Sequence, residues 1–153
     1  MNRREALLAV AVGIASATAF PSNAQQRLDS KEFAYVCDVF LPADLSSASA
    51  SQLGAADEVL ELVLRNPLLT RLIASGLEWL NQVQQTPFEN LSVDQQEAIL
   101  AWAEQSDFNQ VPGRFFHVLR AMLFEVYFSK PEALAGLPLN AAPQPEGYLP
   151  PWT

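Results

Sequence analysis

The amphipathic character of this chain is plainest in residues 114–129, which read RFFHVLRAMLFEVYFS. At about 100° per residue, one half of a helical wheel takes every large apolar side chain but two, and the charged side chains fall on the other half. The core-facing half holds Phe115, Phe116, Val118, Leu119, Met122, Leu123, Val126 and Tyr127. The pattern predicts a long helix that packs against other helices.

The two exceptions, Phe124 and Phe128, fall on the polar half in line with His117 and Ala121. Burial of one Phe side chain is worth about 1.5 to 3 kcal/mol, so we expect another surface to cover both rings. That surface is either the tail of this chain or another protein, and the residues leave both open. Arg120 lies on the same half. We therefore predict a partner-binding face made of His117, Arg120, Phe124 and Phe128.

Four more helical stretches precede this one. The first has apolar side chains at i, i+3, i+4, i+7 and i+8 and ends before Pro42. The apolar positions of the four are Phe33, Val36, Cys37, Phe40 and Leu41; Val59, Leu60, Val63 and Leu64; Leu69, Leu72, Ile73, Leu80 and Val83; and Ile99, Leu100, Trp102 and Ala103. No alternating pattern is long enough for a sheet. The predicted fold class is all-α, a single compact bundle of about five helices with an irregular proline-rich C-terminal tail.

Several helix starts carry recognisable caps. Two pairs have the spacing of a capping box, namely Asp29 with Glu32 and Ser92 with Gln95. Asn66 before Pro67 suits the start of the third helix. Gly76 inside that helix predicts a close crossing with a neighbour. In the connection before the fourth helix, Phe88 and Leu91 are expected to anchor the chain to the core.

Length and composition limit the possible functions. The 153 residues, half of them hydrophobic, fit one globular domain. The net charge is −8 and no cluster of Lys and Arg is present, so we do not expect nucleic acid as a partner. The single cysteine, Cys37, excludes an internal disulfide, and its place in an apolar stripe predicts a buried structural thiol.

Cofactor and catalytic motifs are missing from the sequence. One histidine and one cysteine cannot assemble a usual zinc, haem or iron–sulfur site, and the six glycines are too scattered for a nucleotide loop. His117 has no serine or cysteine near it in sequence, and Arg114 and Arg120 beside it suit an interface or a surface salt bridge. We expect no catalytic, cofactor-binding or metal-binding residue on this chain.

The chain divides into three predicted parts. Residues 1–24 read as an export signal, with Arg3 and Arg4 before an apolar run, which is typical of the twin-arginine route for folded proteins. That run spans roughly 22 Å, short of the ~30 Å bilayer core, although an uncleaved anchor is the alternative. Residues 25–135 form the helical domain. Residues 136–153 form a proline-rich strap, whose Tyr148 and Trp152 fold back or, as we favour, reach a partner.

Short motifs follow one another in order along most of the chain. They are Asn2-Arg3-Arg4-Glu5-Ala6-Leu7, Phe40-Leu41-Pro42-Ala43-Asp44, Leu69 through Gly76-Leu77 to Leu80, Phe88 through Leu91 to Gln95-Gln96, Phe115-Phe116 leading into Glu125-Val126-Tyr127-Phe128-Ser129-Lys130-Pro131, and Pro145-Glu146-Gly147-Tyr148. In this order and spacing they resemble the gluconate 2-dehydrogenase subunit 3 family, the small subunits of exported flavin-dependent dehydrogenases.

The resemblance implies a membrane-associated complex in the periplasm, held at the inner membrane. Its large subunit, of the glucose–methanol–choline oxidoreductase type, would hold FAD, and a cytochrome c subunit would take electrons. This chain would be a non-catalytic accessory subunit that assists assembly, stability and export, touching the membrane only through the complex or an uncleaved signal. One alternative is a free periplasmic helical module that binds a small apolar ligand. Another, a dehydrogenase in its own right, is opposed by the missing cofactor motifs.

Overall fold

The computed structural model describes residues 28–134. Five α-helices follow one another: α1 (Ser30–Phe40), α2 (Ala55–Leu64), α3 (Pro67–Val83), α4 (Val93–Glu104) and α5 (Val111–Phe128). Short 3-10 turns lie at Phe88–Asn90 and Pro131–Leu134. No strand occurs within these residues, which confirms the predicted all-α bundle. The predicted signal and strap fall outside the described residues, and the domain boundaries stay predictions.

Helix α5 lies at the centre of the bundle. It packs against α2, α3 and α4, and its Phe116 ring meets Phe40 of α1 with centroids 5.2 Å apart. Phe115, Leu119 and Leu123 are fully buried, as the predicted core face requires. Their burial fixes which face of α5 remains for contacts outside the bundle.

Helix α5 begins at Val111, earlier than the predicted start at residue 114. Pro112 is compatible with the first helical turn, where the backbone N–H that proline lacks would have no partner in the helix. Gly113 is buried in the same turn, and a Cβ there would lie 2.6 Å from the carbonyl oxygens of Ser106 and Asp107. Proline and glycine here belong to the first turn of the helix, so the start predicted at residue 114 is wrong.

The predicted caps are largely confirmed. Asn66 accepts hydrogen bonds from the backbone N–H groups of Leu68 and Leu69, and Ser92 with Gln95 forms a complete capping box. Asp29 also caps its helix. The Glu32 half of that predicted capping box is wrong, because the Glu32 carboxylate accepts a hydrogen bond from the Asn81 amide on α3 instead. Glu32 thus bonds to a side chain of another helix and not to the backbone at the start of its own helix.

A buried amide joins α1, the first 3-10 turn and α4. The Gln96 side chain is only 3% exposed, and its nitrogen donates to the Tyr35 hydroxyl at 2.7 Å and to the Phe88 carbonyl at 2.9 Å. Phe88 itself is buried and Leu91 packs against the core, so the predicted anchoring of this connection is confirmed.

The connection between α1 and α2 packs closely on the bundle, although it is rich in serine and alanine. Ala50 is fully buried, and the Ser51 backbone donates to the Asp38 carboxylate at 2.7 Å. The Tyr127 hydroxyl, at the end of α5, donates to the Ala48 carbonyl at 2.6 Å. The first bond holds the connection against α1, and the second holds it beside the C-terminal end of α5.

The predicted close crossing at Gly76 is confirmed, and it can be tested by adding one methyl group. A Cβ at position 76 would lie 2.0 Å from Cδ2 of the Phe115 ring. We expect Gly76→Ala to lower the free energy of unfolding by about 1 to 3 kcal/mol, measured by urea unfolding with circular dichroism.

The matched control is Arg71→Ala on the exposed side of the same helix, which should change stability by about 0.5 kcal/mol at most. Adding Phe115→Leu to Gly76→Ala should recover part of the loss. If Gly76→Ala instead stabilises the protein by the roughly 0.5 to 1 kcal/mol that alanine gains in a helix, the crossing does not need glycine.

Candidate docking surface

The predicted partner-binding residues of α5 form one continuous row. Arg120 lies over two rings, with its guanidinium carbon 5.8 Å from the centroid of Phe116 and 5.4 Å from that of Phe124. Phe124 meets Phe128 edge to face at 5.7 Å, and His117 meets Phe116 in the same way at 5.4 Å. The structure therefore brings His117, Arg120, Phe124 and Phe128 together.

These side chains differ in exposure. Phe128 is 45% exposed, whereas His117, Arg120 and Phe124 are half-buried by their neighbours. Each cation–ring contact at such a site contributes about 0.5 to 1 kcal/mol. These contacts join the side chains of the row to one another, and the row still leaves aromatic surface in contact with water.

Phe108 extends the row at its N-terminal end and was not found from the sequence. Its ring is 51% exposed and lies under Arg114, whose guanidinium carbon is 5.5 Å from the ring centroid. Arg114 Nε also donates to the Phe108 carbonyl at 3.2 Å, and the His117 ring is 6.2 Å away. We call Phe108, Arg114, His117, Arg120, Phe124 and Phe128 the α5 strip.

Glu104, the last residue of α4, orients the middle of the strip. Its carboxylate accepts a hydrogen bond from Arg120 Nη1 at 3.0 Å, and its backbone carbonyl accepts one from His117 Nε2 at 3.2 Å. Both side chains of the ion pair are about half exposed, so the pair itself contributes roughly 0 to 1 kcal/mol. Its main effect is to hold Arg120 between the two phenyl rings.

A groove of about 340 Å³ adjoins the C-terminal end of the strip. Tyr127, Phe128 and Ala133 form one side, and the α1–α2 connection forms the other, with Leu41, Pro42, Asp44, Ser46 and Ser47. We call this the Phe128 groove. It is open to solvent rather than enclosed, unlike the cavities that bury most of a small ligand. The small-ligand alternative gains no support from it and stays a prediction.

Within residues 28–134, no group of three or more His, Cys, Asp or Glu side chains could hold a metal ion. Cys37 is fully buried, as predicted, and burial together with the nearby Asp38 carboxylate raises the pKa of its thiol to about 12. The thiolate, which is the reactive form, is therefore scarce near neutral pH.

Four predicted site residues lie outside the described part of the chain. They are Arg3 and Arg4 of the signal and Tyr148 and Trp152 of the strap, and their roles stay predictions. Among the described helices, none combines the length and the apolar character needed to cross a membrane.

The environment of Cys37 predicts how the thiol reacts. Because the side chain is fully buried and its pKa is raised to about 12, the native thiol should be modified by a disulfide reagent at least about a hundredfold more slowly near neutral pH than a free cysteine. In strong denaturant the same reagent should titrate one thiol per chain at once. A native rate equal to that of a small-molecule thiol would contradict the buried assignment.

Comparison with known proteins identifies one family. A family model described as gluconate 2-dehydrogenase subunit 3 matches residues 29–140, well over half of the chain and nearly all of the described bundle. No curated protein and no solved structure matches the chain.

Proposed function

We propose, because the chain belongs to the gluconate 2-dehydrogenase subunit 3 family, that it is the non-catalytic small subunit of a membrane-associated, flavin-dependent dehydrogenase acting on gluconate, glucose or a polyol. It binds the large subunit, of the glucose–methanol–choline type, which carries FAD. It assists the assembly, stability and twin-arginine export of that subunit. The complex works in the periplasm at the inner membrane, with a cytochrome c subunit to accept electrons.

The observation that carries this proposal is the α5 strip. Aromatic and arginine side chains are enriched at protein interfaces and supply most of the residues whose loss weakens binding strongly. Here Arg114, Arg120, Phe124 and Phe128 lie along one helix and Phe108 joins them from the preceding connection. Phe108 and Phe128 keep about half of their surface in water. A partner that covers the strip buries this aromatic surface, and the burial that the isolated bundle does not provide contributes to the free energy of binding.

The strip is also rigid enough to bind without a large ordering cost. It lies mainly on a helix whose opposite side is buried, and Glu104 holds Arg120 and His117 in place. Side chains that are already ordered lose less conformational entropy when a partner binds. A surface of this kind favours a stable subunit contact.

The export role rests on the sequence. Flavin is inserted before export, a folded flavoprotein needs the twin-arginine route, and one member of the complex can supply the signal for both. Arg3 and Arg4 on this chain fit that arrangement. The large subunit then crosses the membrane bound to the small one.

The docking role predicts a selective loss of the complex. Changing both Phe124 and Phe128 to Ser should lower the yield of co-purified large subunit at least about tenfold, because two anchor side chains are lost. The measurement is purification of a C-terminally tagged chain from its host in mild detergent, with the co-purifying chains and the flavin spectrum recorded.

The matched control changes Leu64 and Leu68 to Ser, since these side chains are also exposed but belong to α2 and α3 and not to the strip. The control should keep the large subunit bound, and both variants should keep their helical circular dichroism. An unchanged complex in the Phe124 and Phe128 variant would refute docking through the strip.

The export role predicts a change of compartment. With Arg3→Lys and Arg4→Lys, the flavoprotein should accumulate in the cytoplasm, measured as flavin-containing large subunit in fractionated cells. Arg27→Lys, a matched change at the start of the predicted mature part, should leave its export intact. Normal export of the flavoprotein without the paired arginines would show that its export signal lies elsewhere.

A further inference from the structure

The Phe128 groove has features that the α5 strip does not explain. It shares Phe128 with the strip, so the two surfaces are continuous, but its far side belongs to the α1–α2 connection. At the tip of that connection, Leu45 is completely exposed. A lone exposed leucine is ordinary on a protein surface. Leu45 lies between Asp44 and Ser46, which both line the groove, so its apolar side chain is available to a segment that occupies the groove.

The turn that carries Leu45 is held in shape by Asp44. Oδ1 of Asp44 accepts hydrogen bonds from the backbone N–H of Ser46 at 2.6 Å, the backbone N–H of Ser47 at 2.7 Å and the Ser47 hydroxyl at 3.0 Å. The Asp44 backbone N–H also donates to the Ser47 carbonyl at 2.9 Å. Leu45 is therefore presented by an ordered turn.

Asp44 also gives the groove a negative charge. The hydrogen bonds from Ser46 and Ser47 lower the pKa of its carboxyl group below the ordinary value, so it is ionised at neutral pH. Among the described residues, no cation pairs with it. Lys130, which follows the Phe128 end of α5, forms an ion pair with Glu58 at 2.9 Å instead. Its charge is therefore available to a cation on a bound segment.

We infer that the Phe128 groove binds a segment of the large subunit in which an apolar side chain stands next to a lysine or arginine. The apolar side chain lies against Phe128 and Pro42, Leu45 packs on the segment from outside, and the basic residue pairs with Asp44. The inference rests on the proposed function for the identity of the partner. It adds where that partner is anchored and what chemistry its segment carries.

Charge distinguishes this occupant from two others. Residues 135–153, which follow the groove in sequence, contain Glu146 and no lysine or arginine, so they cannot supply the cation. A second copy of the chain would bring a net charge of −8 toward an acidic turn. A basic and apolar segment of another protein fits the groove better than either.

The occupant can be identified by crosslinking in the native complex. A photoreactive benzoylphenylalanine placed at position 45 should crosslink the large subunit, at a segment that contains lysine or arginine beside an apolar residue. The same group placed at Val93, which is 67% exposed at the start of α4, is the matched control and should not crosslink that segment.

Each outcome of the crosslinking decides between the two proposals. A crosslink from position 45 to residues 1–27 or 135–153 of the chain itself, to a second copy, or to nothing while the complex is intact would overturn the groove inference and leave the proposed function standing. Failure of the wild-type chain to purify with a flavoprotein would instead defeat the proposed function.

The charge of the groove is tested by Asp44→Asn. Asparagine keeps the Oδ1 acceptor that shapes the turn and removes only the negative charge. We expect the large subunit to dissociate at lower salt, with an affinity about two- to fivefold weaker than for the wild type. Asp57→Asn, on the exposed side of α2, is the matched control and should behave as the wild type. Equal salt resistance of the Asp44→Asn and wild-type complexes would show that no cation binds Asp44.

Discussion

The Phe115 ring lies directly against the backbone of Gly76, and this contact fixes the rotation of α5 about its own axis. At about 100° per residue, a helix that points Phe115 into the core directs four side chains to within about 40° of the opposite direction. They are His117, Arg120, Phe124 and Phe128. The strip faces outward because Phe115 faces inward, so the packing of Phe115 in the core determines where the strip lies on the surface.

Periodicity and caps were sufficient to predict the helices, the core side of α5 and most of the strip, because these features depend on neighbours along one helix. Contacts between distant segments were not accessible in this way. Phe108 joins the strip from a connection without periodicity, and Glu104 reaches Arg120 only because α4 and α5 meet. Gln96 looks like a solvent-facing residue in sequence and is buried by the Tyr35 and Phe88 partners that the fold brings to it.

The proposed binding surface has a charge at each end. Arg114 lies toward one end of the strip, and Asp44 lies across the groove beyond Phe128 at the other end. Opposite charges at the two ends favour one orientation of a bound partner, because the reversed orientation would place like charges together. Acidic residues outnumber basic ones in the chain, and the resulting net charge of −8 disfavours association between copies.

The buried Gln96 side chain makes folding of the bundle more cooperative. Its amide is satisfied only when α1, the Phe88 turn and α4 are all in place. A half-assembled bundle that buries this side chain leaves its donors unpaired, at a cost of about 1 to 3 kcal/mol. Partly folded intermediates are therefore penalised, and the chain is driven toward an all-or-none transition in which these three segments are gained or lost together.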